Sequence, residues 1–278
     1  MCLVLIGWRA HPDYRLIVAA NRDEFHARRT EPLRRWPERP TLLAGRDLDS
    51  GTSAPGVWAG LSNAPGDRRF AAVTNVRGPG ESRAGARSRG VLAREFLCAQ
   101  RADPQDFIRG AITARDIYNG YNLIVSDLRQ LWWCSNRGTV PARALEPGFH
   151  GLANDAHLRS GDGSRHPPSP KVERGLDALR RTVESGPDDL DGYFSLLADR
   201  TPAPDDQLPD TGMSPGIERL ASARFLANPL YGTRSSTVLL VREDGSFAMV
   251  ERSFDRLGDP TGEARLADAA LDRTGGDR

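Results

Sequence analysis

Residues 2–25 read CLVLIGWRAHPDYRLIVAANRDEF. Two apolar, partly β-branched runs flank "HPDY" at 11–14, a turn signal of Pro and Asp between strand-like segments. Near-continuous apolarity suits strands covered on both faces, so the stretch predicts an antiparallel hairpin inside a layered fold. A four-residue loop at 11–14 and a two-residue loop at Pro12-Asp13 both set Cys2 across from Asp23, with Cβ atoms about 5 Å apart. A loop of odd length sets Cys2 across from Arg22 or Glu24 instead. Every register brings "NRDE", residues 21–24, beside the cysteine.

That juxtaposition has chemical content. A thiolate, with an ordinary pKa of about 8.5, is the nucleophilic form of cysteine, and an adjacent arginine favours it. Removal of Met1 would give Cys2 a free α-amino group, whose pKa of about 7.7–8.0 leaves part of it neutral and able to accept the thiol proton. Asp23 is placed to orient the ammonium. The plainer alternative is a small buried filler residue at the head of a strand; position alone slightly favours it, and the Arg and Asp placed by the hairpin bring the two level.

Beyond this hairpin the chain alternates strand and helix signals. "VWAGLS" (57–62) and "RFAAVTNV" (69–76) read as strands, and helices are expected near 90–100 and 104–114, the second capped by Asp103 with Pro104 at its first turn. "YNLIVSD" with "QLWWCSN" forms a strand pair, and Trp132 and Trp133 point to opposite faces of it. "GFHGLAND" (148–155) reads as a short strand and loop, residues 160–170 as a polar segment, and 171–185 and 188–200 as helices. "SSTVLLVRE", Asp244-Gly245 and "SFAMVERSF" give a hairpin. Residues 28–55 read as irregular loop, and the chain beyond Gly258 as a fraying end. Predominant hairpins predict antiparallel sheets covered by helices, an α+β layered domain over residues 1–258 with a polar tail at 259–278.

Composition narrows function. With 38 basic and 37 acidic residues the net charge is +1, so no global field favours nucleic acid. Lys171 is the only lysine; every other basic residue is arginine. Three cysteines without CxxC spacing and five histidines without HxxxH or HExxH spacing (His11, His26, His150, His157 and His166) argue against a disulfide framework and a metal site. No stretch approaches the roughly 20 apolar residues of a membrane helix and no signal peptide is apparent, so a cytoplasmic protein is expected.

Ordered motifs along the chain carry a resemblance. "MCL", "ANRDEF", "FAAVTNVRGP", "SRGVLAREFL", "YNGYNLIVSDL", "PGFHGLAND", "PKVERGL", "LPDTG" and "YGTRSSTVLLV" resemble the NRDE-motif family, also called the transport-and-Golgi-organization 2 family. That family is in turn similar to N-terminal-nucleophile hydrolases with an N-terminal cysteine. The resemblance implies a four-layer αββα sandwich and acyl transfer from a non-peptide amide or thioester to Cys2. It implies a catalytic set of Cys2, Arg22, Asp23, Asn75, Asn154 and Arg234. Asn21, Glu24, Thr74 and Ser235, beside these, are expected on the substrate side. One departure stands out: "SGTSAPGVWAG" (50–60) replaces the family's shorter "GGTWLG"-like turn. The resemblance also implies an alternative, a haem or acyl-CoA/lipid binding and trafficking protein using the same pocket without turnover. No cofactor is required by the first reading, and haem enters only under the second. The expected partner is a small molecule, with no nucleic acid and no membrane span.

Overall fold

The structure is a computed structural model that describes residues 2–52, 54–78, 80–140, 142–160 and 169–268. Met1, His166 and residues 269–278, all considered above, lie outside the described residues.

The opening hairpin is β1 (Leu3–His11) and β2 (Tyr14–Phe25). His11 faces Tyr14 across Pro12-Asp13, the shorter of the two even-length loops considered. The pairing then slips between Trp8 and His11, where Arg9 adopts φ 46° and β1 accommodates one extra residue in a bulge. Beyond it Trp8 faces Leu16 and Leu3 faces Asn21. The register expected from the loop alone is therefore corrected by one: continuing the ladder places Cys2 beside Arg22, not Asp23. Because both faces of these strands are buried, hydrophobic periodicity does not discriminate between the two registers.

The slip decides which side chains share a face. Val4, Ile6 and Trp8 join Leu16, Val18 and Ala20 in one core, while Leu3 and Leu5 join Ile17 and Ala19 in another. By the same alternation Cys2 and Arg22 take the first face, and Asn21 and Asp23 the second.

The second sheet begins with β3 (Thr30–Trp36) and β4 (Arg39–Asp47), then β5 (Ala59–Ala64) and β6 (Asp67–Asn75). It continues through β7 (Tyr121–Ser126), β8 (Leu131–Ser135) and β9 (Ala142–Ala144), with the seven strands in chain order. The loop expected at 28–55 is thus largely an edge hairpin. Its charged and Pro-rich sequence hid it: β3 is an edge strand, where Pro32 removes no needed ladder bond, and only Leu33 and Trp36 of β3 are buried.

The first sheet is completed by β10 (Gly148–Leu152), β11 (Arg159–Ser160), β12 (Tyr231–Arg242), β13 (Phe247–Phe254) and β14 (Pro260–Ala267), in the order β11-β10-β1-β2-β12-β13-β14. All ladders are antiparallel. Residues 260–267 do not fray: they pair with β13 as an edge strand, with Ala264 and Leu266 packed on the core.

One core lies between the sheets. A second lies under α3 (Pro170–Ser185) and α4 (Leu190–Leu197) on the outer face of the first sheet. A third lies under α1 (Gly90–Cys98) and α2 (Pro104–Thr113) on the outer face of the other. Helices, sheet, sheet and helices make an α+β sandwich. Asp103 caps α2 through Asp106 N and Pro104 opens it, as expected. Trp133 sits in the inter-sheet core and Trp132 against the third. A short α5 (Pro215–Ala221) follows α4.

Two glycines seat helices near the strand ends. A Cβ at Gly151 would collide with Val172 and Leu176, so its absence lets the first turn of α3 press onto β10. A Cβ at Gly90 would come within 3.1 Å of Gly56 Cα and Val57 N, so α1 begins hard against the chain entering β5.

Candidate functional site

The C-terminal end of β2, the start of β1, the end of β6 and the entry to α1 surround a cavity of about 370 Å³. Cys2, Arg22, Asp23, Glu24 and Asn75 all line it. Five of the ten expected site residues are therefore brought together. Cys2 is 8% exposed.

The corrected register gives each neighbour a different relation to Cys2. Arg22 shares the face of the thiol. Asp23 takes the opposite face. Its carboxylate is held from both sides: Lys171 Nζ lies 3.2 Å from Oδ2, and Thr233 Oγ1 donates to Oδ1 at 2.7 Å. Tyr231 Oη donates to its backbone carbonyl at 2.8 Å. Both side chains of the Asp23–Lys171 pair are buried.

Other walls of the cavity are charged. Arg28 forms a bidentate pair with Asp47 at 2.9 and 2.8 Å. Burial pulls the Arg28 pKa down, and Asp47, with Glu24 and Asp49, reverses this to leave it raised. Arg89, just ahead of α1, donates to Gly120 O at 3.1 Å, and burial lowers its pKa, while Glu24 and Cys2 act in the opposite direction. Ser88, Arg89 and Gly90 line the cavity, so the positive end of α1 faces it.

The remaining expected residues are committed elsewhere. Asn154 donates from Nδ2 to Asn75 O at 2.8 Å, and its own carbonyl accepts from Arg77 N, binding the "GLAND" loop to the end of β6. It lines a neighbouring cavity of about 400 Å³ together with Lys171. Thr74 Oγ1 donates to Ala153 O at 2.8 Å and accepts from Asn122 at 3.1 Å. Asn21 is fully buried: its Nδ2 donates to Leu197 O and Arg224 O, and its Oδ1 accepts from Ser236 Oγ at 2.6 Å. Arg234 and Ser235 line a third cavity, between the sheets. His150 is structural, with ring nitrogens on Ser160 Oγ and Glu146 O.

Sequence reasoning missed Lys171, Arg89 and the Arg28–Asp47 pair. The first carried a signal: one lysine in a chain whose other bases are all arginine. Arg89 and Arg28 sat among too many arginines to stand out.

An antiparallel α+β sandwich with its cysteine at the head of a central strand, beside "NRDE", defines the class. A profile of the Transport and Golgi organisation 2 family matches residues 1–256, and the chain belongs to that family. It is 33% identical over 285 residues to the Transport and Golgi organization protein 2 homolog of Bos taurus, covering 94% of this chain and 95% of the relative. The Homo sapiens homolog is 31% identical over 274 residues, 91% and 93% of the two chains. Transport and Golgi organization protein 2 of Drosophila melanogaster is 26% identical over 282 residues, 95% of each. Among the described residues no helix is long and apolar enough to cross a membrane.

Proposed function

We propose that the protein is an N-terminal-cysteine acyl-transfer enzyme acting on a small polar amide or thioester, with Cys2 as nucleophile. The observation that carries this reading is the shared cavity of Cys2, Arg22, Asp23 and Asn75.

Removal of Met1 frees the Cys2 amine. The neutral amine accepts the thiol proton, and Asp23, anchored by Lys171 and Thr233, holds the ammonium so formed. The thiolate attacks the substrate carbonyl. Asn75 and Arg89 supply donors to the developing oxyanion. Collapse breaks the C–N or C–S bond, the ammonium returns its proton to the leaving group, and water hydrolyses the thioester left on Cys2. Asn154 and Thr74 contribute by fixing Asn75. The polar, charged lining favours a polar ligand head and gives no support to haem, whose macrocycle needs an apolar slot.

The test combines mass spectrometry and turnover. Intact mass should lack Met1, and incubation with a panel of short acyl thioesters and amides should yield a Cys2-acyl adduct that Cys2→Ala abolishes. Saturable binding of acyl-CoA or hemin that survives Cys2→Ala, with no turnover of any acyl substrate, would instead favour the carrier reading.

A further inference from the structure

One basic side chain at the site is only weakly engaged. Arg22 is 6% exposed, yet among the described residues its guanidinium makes no hydrogen bond. Its one ion-pair contact is Glu24 Oε2 at 3.7 Å, a carboxylate oxygen also 3.7 Å from Arg28. A guanidinium has five N–H donors in a planar fork matched to carboxylate and phosphate, and Arg22 presents its own to the cavities it lines. The side chains of Asn21 and Asp23 on either side of it are hydrogen-bonded, so an open donor set here points to a ligand.

Arg22 stands in the wall between two cavities. One is the Cys2 cavity. The other, about 340 Å³, lies between the sheets and shares both Arg22 and Trp58 with the first. Arg234 lines this second chamber with Ser235 and Thr30. Its Nη1 donates to the carbonyls of Phe25, His26 and Arg28 at 3.2, 3.3 and 3.2 Å, and no carboxylate pairs with it among the described residues. Burial, and then the charge of Arg22, lower the Arg234 pKa, as expected for two guanidiniums facing one space.

None of the chamber acids forms an ion pair with either guanidinium among the described residues. Glu31 is shared by Arg34 and Arg46 at 3.6 and 3.5 Å, and Arg46 is paired to Glu38 as well. Glu263 is paired to Arg252 at 2.8 Å. Glu251 accepts from Leu33 N at 2.7 Å and Thr237 Oγ1 at 3.0 Å; burial pushes its carboxyl toward the neutral form, and these hydrogen bonds and the charge of Arg22 only partly oppose that.

We propose that the inter-sheet chamber is an oxyanion-binding subsite, in which Arg22 and Arg234 grip a carboxylate or phosphate group of the ligand. That the same ligand's reacting end lies beside Cys2 rests on the acyl-transfer reading; the anion site does not. The substrate class sharpens accordingly, to an amide or thioester that carries an anionic group.

Titration calorimetry of the full chain at low salt, with inorganic phosphate in one arm and succinate in the other, tests this. One saturable site per chain is expected, and whichever anion fills it identifies the group. Affinity should fall at least about tenfold in both Arg22→Gln and Arg234→Gln and stay unchanged in Cys2→Ala. Should a variant fail to fold, the unaltered protein suffices: the bound anion should protect Arg22 from phenylglyoxal, mapped by peptide mass. No saturable uptake of either anion, uptake indifferent to both substitutions, or no protection of Arg22 would overturn the proposal. Anion binding without any Cys2-acyl adduct would defeat only the acyl-transfer reading, and adduct formation without anion binding only this one.

Discussion

Arg22 and Asp23 are consecutive residues of β2 and nearly equally buried, yet their surroundings are opposite. Asp23 points under α3, where an ammonium and a hydroxyl hold its two oxygens. Arg22 points between the sheets, where it makes no hydrogen bond among the described residues and two cavities meet. The fold has completed one side chain and left the other open. Completed groups should matter most to stability, and open groups to ligands.

The largest effect should come from breaking the completed pair. Lys171→Met removes the ammonium from the buried Asp23 carboxylate, and should cost about 3–5 kcal/mol in urea unfolding. Arg22→Met, at a similarly buried position, should cost under about 1 kcal/mol, because no hydrogen bond is lost. Equal losses for the two would erase the contrast.

A smaller effect sharpens it along the second wall. Asn154→Ala removes the amide bond to Asn75 O and should destabilise by about 1–2 kcal/mol. Asn75→Ala, whose side chain is exposed at the cavity, should leave stability within about 0.5 kcal/mol while reducing any acyl transfer. The reverse ordering would make Asn75 the structural residue.

Cysteine reactivity gives a third comparison. Burial raises the pKa of both Cys98 and Cys134, which makes their thiolates scarce at neutral pH. Iodoacetamide at neutral pH should label Cys2 first, read by peptide mass. Labelling of Cys98 or Cys134 ahead of Cys2 would remove the argument for a nucleophile.

The smallest effect is the pH dependence at Glu251. Its folded pKa is raised by burial, so its contribution is fully present below the unfolded pKa of about 4.3 and is lost as pH rises through the folded value. Glu251→Gln keeps an acceptor for Leu33 N and does not titrate. Its stability relative to the unaltered protein should therefore improve between pH 4 and pH 8, measured by urea midpoints. A difference that stays flat with pH would show that Glu251 carries no strained charge.

How much of this was legible follows from what each signal depends on. The opening hairpin, the capped α2 and the Asp244-Gly245 hairpin are local chemistry, and they stand where the sequence places them. The edge strands β3 and β14 were not legible, because an edge strand buries little and its charged, Pro-containing sequence shows no clear apolar alternation. Within the site, "NRDE" beside Cys2 was legible, but not which of its residues shares the cysteine's face. That turned on one backbone angle at Arg9. Asn154 illustrates a different gap: residue type suggested a donor to substrate, whereas its amide is already spent on Asn75 O. Lys171 reaches Asp23 across 148 residues of chain, and no local pattern encodes such a distance.

The bulge at Arg9 has a consequence for how the molecule tolerates change. Two residues of β1, Arg9 and Ala10, stand against Arg15 alone, so the strand carries one residue more than its partner requires. Deleting Arg9 would let Ala10 face Arg15 and leave Trp8 on Leu16 and Leu3 on Asn21. The irregularity works like an expansion joint: the turn and the cysteine end of the hairpin are built to different lengths, and the slack is taken up between them. Length changes near residues 9–13 can then be absorbed before they reach Cys2.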